Sequence, residues 1–451
     1  MDSLSRSSVA RPRSANRRPR PASLGLESLE SRLALAGIVT VSFNWLDGTL
    51  TITGDHEGNH VAVSQLGDRT IVAPSPRESD GQTRLRFRGQ SHHASLTFQG
   101  VQRINVDLGR GDDELLVGTL DRNPLNFRAL SVNLGGGNDF FFAQRATIRE
   151  NLTVRAGNHD DQVRIEETTV GGNMVIQLGD GRNAMQLFNT SVSGAIEAMG
   201  GRDTDAFFLR SARASAMRID GGDGDDRIHV TRSLVDVEFD ADTGSGNDLV
   251  WLWHVAGTGT FLIDTGSGDD RVDAESLGID ARSLTVNLGP GDNEAILKIF
   301  SIAGPLNISG GTGHDLIELR TIDVLGALVI DADAGNNQIL VNQSSASSLQ
   351  IFTAAEQDRV HVLLGRYGGD VVIRTGPGND DVGLIGVEAG AIELGTGDGD
   401  DTVTVALVTF GRRIRFAGGN GHDTVRYLAD EFDPEYFTAF EVLELLEQPV
   451  L

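Results

Sequence analysis

The chain has no cysteine and a single lysine, Lys298. The first absence excludes disulfides, zinc–thiolate sites and thiol catalysis. Proline is scarce at 11 of 451 residues and aromatics make up only 6%, so large aromatic-centred globular cores are not expected. No run of 18 apolar residues occurs, which excludes a membrane-spanning helix. No phosphate loop, Ser/His/Asp arrangement or zinc-ligand spacing is present, and the loops between motifs are short and regular from 135 to 427. The expectation is a protein that is not an enzyme. Positive charge is also short. The net charge is −26, which repels nucleic acid and anionic membranes and attracts cations.

Glycine and acid fill the space those absences leave. Glycine accounts for 56 residues and Asp plus Glu for 64, against a usual glycine share of ~7%. The glycines are ordered. GGDGDDRIH at 221–229, GGTGHDLIE at 310–318 and GGNGHDTVR at 418–426 are three full copies of one nonapeptide, with looser copies between them. Aligned on the second glycine, the turns fall at 109, 135, 157, 179, 201, 222, 244, 266, 289, 311, 333, 354, 376, 397 and 419. From 109 to 419 is 310 residues in 14 steps, about 22 per step, and a fixed period of this size means a solenoid.

Four residues after each aligned position stands an acid or its amide: Asp113, Asp139, Asp161, Asn183, Asp205, Asp226, Asp248, Asp270, Asn293, Asp315, Asn337, Asp358, Asp380, Asp401 and Asp423. The flanks alternate. Val132, Val154 and Ile176 lead into the turns, and Val163, Ile228 and Val250 lead out, a period of two that marks half-buried strands. A third apolar point follows near Ile148, Val170 and Val192. Three inward faces per coil predict an all-β, roughly triangular parallel β-helix of about 15 coils, spanning ~70 Å at the usual strand spacing.

Stacked carboxylates on the order of 5 Å apart repel by about 1 kcal/mol per pair in water and more when partly buried. A row of carboxylates and turn carbonyls is hard-oxygen chemistry suited to Ca²⁺. The candidate ligands are Asp113, Asp139, Asp205, Asp226, Asp248, Asp270, Asp315, Asp380, Asp401 and Asp423; the runs of turns at 222–270 and 397–423 are the strongest, and the turns at 179, 333 and 354 the weakest, 354 having lost all its glycines. A metal-free alternative stands beside this, in which each Asp accepts backbone N–H bonds of its own turn.

The nonapeptide resembles the calcium-binding repeat of RTX, or hemolysin-type, proteins, G-G-x-G-x-D-x-U-x. That resemblance implies calcium held between stacked turns by Asp side chains and carbonyls. The RTX roll carries two such turns per 18-residue coil and this chain one per 22, so a single RTX-like edge is expected. Near the N-terminus, Leu26, Glu27, Leu29, Glu30, Arg32, Leu35 and Ala36 resemble the LEPR-XLL motif of exported planctomycete proteins, with Ala34 at the first of its two leucine positions. This implies an export or surface-sorting signal; a short amphipathic helix over 24–37 is the plainer reading.

The expected organisation is a basic, disordered leader with sorting motif at 1–36, irregular β coils that cap the stack at 37–103, the solenoid at 104–427 and a C-terminal cap at 428–451. In the cap, 442–446 is expected as a last strand repeating the pattern of 98–108, or else a helix starts at Asp433-Pro434-Glu435. The expected function is a non-enzymatic, secreted or cell-surface solenoid that binds calcium ions and serves a structural or adhesive role. An extracellular polysaccharide or a cell-envelope component is the expected macromolecular partner class. The alternative is a carbohydrate-binding or polysaccharide-cleaving β-helix. Strand parity places Trp251, Trp253, Phe142 and Phe208 on the outer surface, as separate rings rather than a continuous stripe, and His92-His93 in a solvated loop.

Overall fold

Alternating inward residues on both sides of each turn build strands that stack coil upon coil. A computed structural model describes residues 37–446 except 76–82, 93, 119–123, 429–431 and 433. The chain separates into Met1–Ala34 and a second unit, Leu35–Leu451, to which all described residues belong. The leader, its motif, His93 and Asp433 lie outside what is described, while His92, expected in a loop, ends the short strand Gln90–His92.

The fold is an all-β parallel β-solenoid. One coil shows the pattern: Leu152–Asn158, a Gly-rich turn, Gln162–Glu166, a sharp corner, then Thr169–Val170. Each strand pairs in parallel with its counterpart one coil on, Val154 with Ile176, Val163 with Met185 and Val170 with Val192. The inward residues Leu152, Val154, Ala156, Val163, Ile165 and Val170 are all fully buried. Parallel strands cannot close with a hairpin, so the turn and corner of every coil carry the crossover. A lone coil cannot shield its inward face, and each therefore depends on its neighbours.

The corner has a left-handed residue ten positions after each aligned glycine, from Arg145 through Asn189, His254, Ile299 and Thr321 to Leu407, with φ between 48° and 67°. Their amides donate to the next coil, as Glu167 does to the Phe188 carbonyl at 2.9 Å. Only Gly386 in this row is a glycine.

At the N-terminal end, Thr49–Thr53 and His60–Leu66 form the first coil, paired in parallel with Arg103–Arg110 and Glu114–Val117. Antiparallel hairpins are added to it: Ile38–Asn44 on Thr49–Thr53, and Arg69–Pro74 on His60–Leu66. At the other end a single 3-10 turn, Pro434–Tyr436, precedes Phe437–Thr438 and the strand Val442–Leu445. The last strand pairs with Thr424–Tyr427, a strand that leaves its turn. This corrects the expected match of 442–446 to 103–108, which stacks among the strands that enter a turn. Leu443 and Leu445, expected inward by that match, are 45% and 61% exposed at the end of the stack.

Candidate metal-binding edge

The fourth residue after each aligned position begins the strand that leaves the turn, so its side chain folds back under the turn. All twelve aspartates and three asparagines of the row are buried, at 0–3% exposure. They form one hydrogen-bonded ladder. The amide of each residue donates to Oδ1 of its counterpart one coil further along, at 2.6–3.1 Å, without a break from Asn59 to Asp423. The Asp423 amide ends the ladder on Glu441 Oε2 at 2.7 Å. Asp113, Asp139, Asp205, Asp226, Asp248, Asp270, Asp315, Asp380, Asp401 and Asp423 all take part, as do Asp161 and Asp358. The metal-free alternative thus takes a different form: Oδ1 caps the amide of the preceding coil rather than of its own turn.

The turns at 179, 333 and 354, weakest in sequence, carry the ladder as well as the others. In the glycine-free turn, Glu356 adopts the left-handed φ of 85° that glycine supplies elsewhere. The two ends, Asn59 and Glu441, escape the repeat count. The signal for Asn59 was GDHEGNH at 54–60, a degenerate turn ahead of the strand HVAVSQL.

The second oxygen of each carboxylate is the anomaly. Oδ2 of Asp113, Asp139, Asp161, Asp226, Asp248, Asp270, Asp315, Asp358, Asp380, Asp401 and Asp423 is buried with no hydrogen-bond partner. The three asparagines show what surrounds that position. Asn183 Nδ2 donates to the carbonyls of Gly179 and Gly181, both at 2.9 Å. Asn293 does the same to Gly289 and Gly291, and Asn337 to Asp333 and Gly335, at 2.9–3.2 Å. The two amide hydrogens satisfy two inward carbonyls there; a carboxylate oxygen in the same place meets acceptors only, except at Asp205, whose Oδ2 accepts the Gly201 amide of its own turn at 3.0 Å.

Burial accordingly raises these acids. Asp113 and Asp161 are pushed up to about 8 and Asp139 and Asp226 to about 7 by desolvation, which the amide hydrogen bonds only partly offset. Asp205, Asp248, Asp270, Asp315, Asp380 and Asp401 rise to about 6 for the same reason. The residue just before the aligned position modulates the effect. Thr243, Thr265, Thr375 and Thr396 stand there beside Asp248, Asp270, Asp380 and Asp401 and hold those acids down, although each hydroxyl donates its hydrogen to a carbonyl of the next coil and so leaves Oδ2 without a donor. Asp113 and Asp139 have Leu108 and Leu134 there instead. All three asparagines occur where this residue is Leu178, Leu288 or Ala332, which offer no hydroxyl.

Outside the buried ladder runs an exposed, interrupted one made by the preceding residue of most turns, in the opposite direction. Here the amide donates back to the earlier coil: Asn138 to Asp112 Oδ1, Asn247 to Asp225, Asp269 to Asn247 and His422 to Asp400, at 2.8–2.9 Å. Among the described residues, no three His, Cys, Asp or Glu side chains gather as a metal-binding group. Any cation on this edge therefore has mixed ligands, with one or two carboxylates and the rest carbonyls.

No protein-family profile matches the chain. No curated protein matches it in sequence. Among solved structures, a hyperactive, Ca²⁺-dependent, β-helical antifreeze protein from an Antarctic bacterium is similar, at 18% identity over 75% of this chain and 89% of that one, with a TM-score of 0.39. The fold assignment above rests on this chain's own strand pairing.

Proposed function

We propose that the chain is a calcium-stabilised structural solenoid without catalytic activity, exported to the cell surface or beyond. The observation that carries it is the unpartnered Oδ2 set among inward carbonyls. Three asparagines supply positive hydrogens at that point, and eleven aspartates leave a buried oxygen without a partner. A divalent cation that accepts oxygen ligands answers the same need. Asp Oδ2 would hold it together with the turn carbonyls that asparagine otherwise binds. Runs of consecutive Asp turns, Asp113 to Asp161, Asp205 to Asp270 and Asp358 to Asp423, are where neighbouring turns would share ions.

A proton is the competing occupant, since an Oδ2–H can donate to the same carbonyls. Calorimetric melting of the full chain after chelation, repeated with added calcium, separates the two. The expected result is a melting temperature that rises with calcium and falls again with chelator. A melting temperature indifferent to both overturns the calcium reading and leaves the proton.

A further inference from the structure

The strands that leave the turns present an outward column, one residue per coil, seven positions after the aligned position. From coil to coil it runs Phe142, Arg164, Gln186, Phe208, His229 and Trp251. Phe208 and His229 meet edge to face at 5.0 Å, and His229 and Trp251 at 5.1 Å. Rings expected as separate therefore join through His229, which the count of Phe and Trp overlooked. A parallel column two residues on contributes Phe188 and Trp253. Arg164 lies over Phe142 and Phe188 at 5.9 and 5.5 Å, and Arg232 over Trp253 at 4.9 Å.

Two open grooves of about 470 and 310 Å³ lie side by side here, both lined by Phe188 and Arg210. They follow the column, so the face is elongated along the solenoid axis. Its charge is opposite to that of the molecule. Arg164, Arg210 and Arg232 line the grooves against Glu166 and Glu167, three positive and two negative for a local +1 in a chain of −26. Arg164 and Arg145 are paired with the two glutamates. Arg210 and Arg232 pair with no carboxylate among the described residues. His229 Nε2 also has no hydrogen-bond partner. Asp273 and Glu275, next in register after Trp251 and Trp253, close the patch at that end.

Flat rings offer stacking surfaces to the C–H faces of sugars, and their aromatic edges add weakly polar contacts. Free guanidinium groups recognise carboxylates through two parallel hydrogen bonds. A linear polymer suits a shallow elongated face better than an enclosed small molecule does. We propose that this face binds an acidic polysaccharide, its rings stacking on Phe188, Phe208 and Trp251 and its carboxylates meeting Arg210 and Arg232. The site is separate from the buried Asp ladder and does not depend on the metal assigned to it.

The test is calorimetric titration of the full chain with oligogalacturonates too short to gel, at a fixed calcium concentration. Cello-oligosaccharides of equal length serve as the neutral probe. The acidic oligomers are expected to bind, with affinity that falls as salt rises and drops at least about tenfold in Trp251→Ala and in the Arg210→Ala/Arg232→Ala pair. The neutral oligomers should bind at least about tenfold more weakly. Trp45→Ala, an exposed ring remote in sequence from this face, should bind as the parent does, and circular dichroism checks that each variant is folded. Absence of binding by the folded parent, unchanged affinity in the face variants, or equal affinity for the neutral probe each overturns the proposal.

Discussion

An amide in place of the Asp139 carboxylate should stabilise the metal-free protein. Asp139→Asn keeps the Oδ1 that accepts the Asp113 amide and gives the unpartnered position hydrogens for two turn carbonyls, as at Asn183. Removing an unsatisfied buried oxygen is worth about 1 kcal/mol or more. Melting in chelator should rise, while calorimetric titration should show less calcium bound. A gain in chelator with no change in calcium bound would favour the proton as occupant. The corner row makes a second prediction. Ile299 is β-branched, 57% exposed and left-handed at φ 53°. Asparagine tolerates that conformation better, so Ile299→Asn should stabilise by about 1 kcal/mol in urea unfolding. Little in the sequence marks this row. Its members are Arg, Glu, Asn, Ser, His, Ile, Thr, Gln, Leu and one Gly, so the residue types that favour a left-handed bend are a minority and the crossover geometry imposes the conformation on the rest.

The Gly-rich turn is the element most sensitive to change. Gly244 has φ 88°, and a Cβ there would run into the carbonyl oxygen of Gly222 one coil earlier. Gly244→Ala combines left-handed strain with overpacking, at about 3 kcal/mol. Because each coil leans on its neighbours, hydrogen exchange should quicken in the turns around 222 and 266 and stay slow beyond them. Protection lost evenly along the whole chain would show that the coils do not act as separate units. The turns and their Asp row were legible because one residue type recurs at one offset every 22 residues. The ladder's ends were not. Hairpins between His60 and Gln99 place 54 residues between Asn59 and Asp113, and Glu441 belongs to a different residue type and a shorter step. The aromatic column was hidden for a related reason, since it changes residue type at every coil.

At the scale of the molecule, the raised acids make stability depend on pH. The folded row holds protons up to about pH 6–8, whereas an unfolded aspartate releases its proton near pH ~3.9. Between those limits the folded state binds more protons than the unfolded, so stability is greatest at the acid side and is lost as pH rises. The chelated protein should therefore melt at a lower temperature at pH 8 than at pH 5. Calcium held by the same oxygens, as proposed, would compete with the protons, so saturating calcium should narrow or reverse that difference and release protons on binding. A chelated protein whose melting temperature is flat across this range would show that the buried carboxyls are not protonated there.

The two opposed ladders also bear on how such a chain can change length. Every rung of the buried ladder joins a residue to its counterpart one coil away, and each coil from Asp113 to Asp423 offers the same amide donor and Oδ1 acceptor. Excising one whole period, from one aligned glycine to the next, would leave each remaining amide a partner with its strands still in register. The rungs themselves already span 21, 22, 23 and 26 residues, so the conserved quantity is the whole coil and not a fixed residue count. Gene-level gain or loss is thereby quantised: the molecule can be lengthened or shortened like a chain of identical links, and only its two ends, at Asn59 and Glu441, have to be kept.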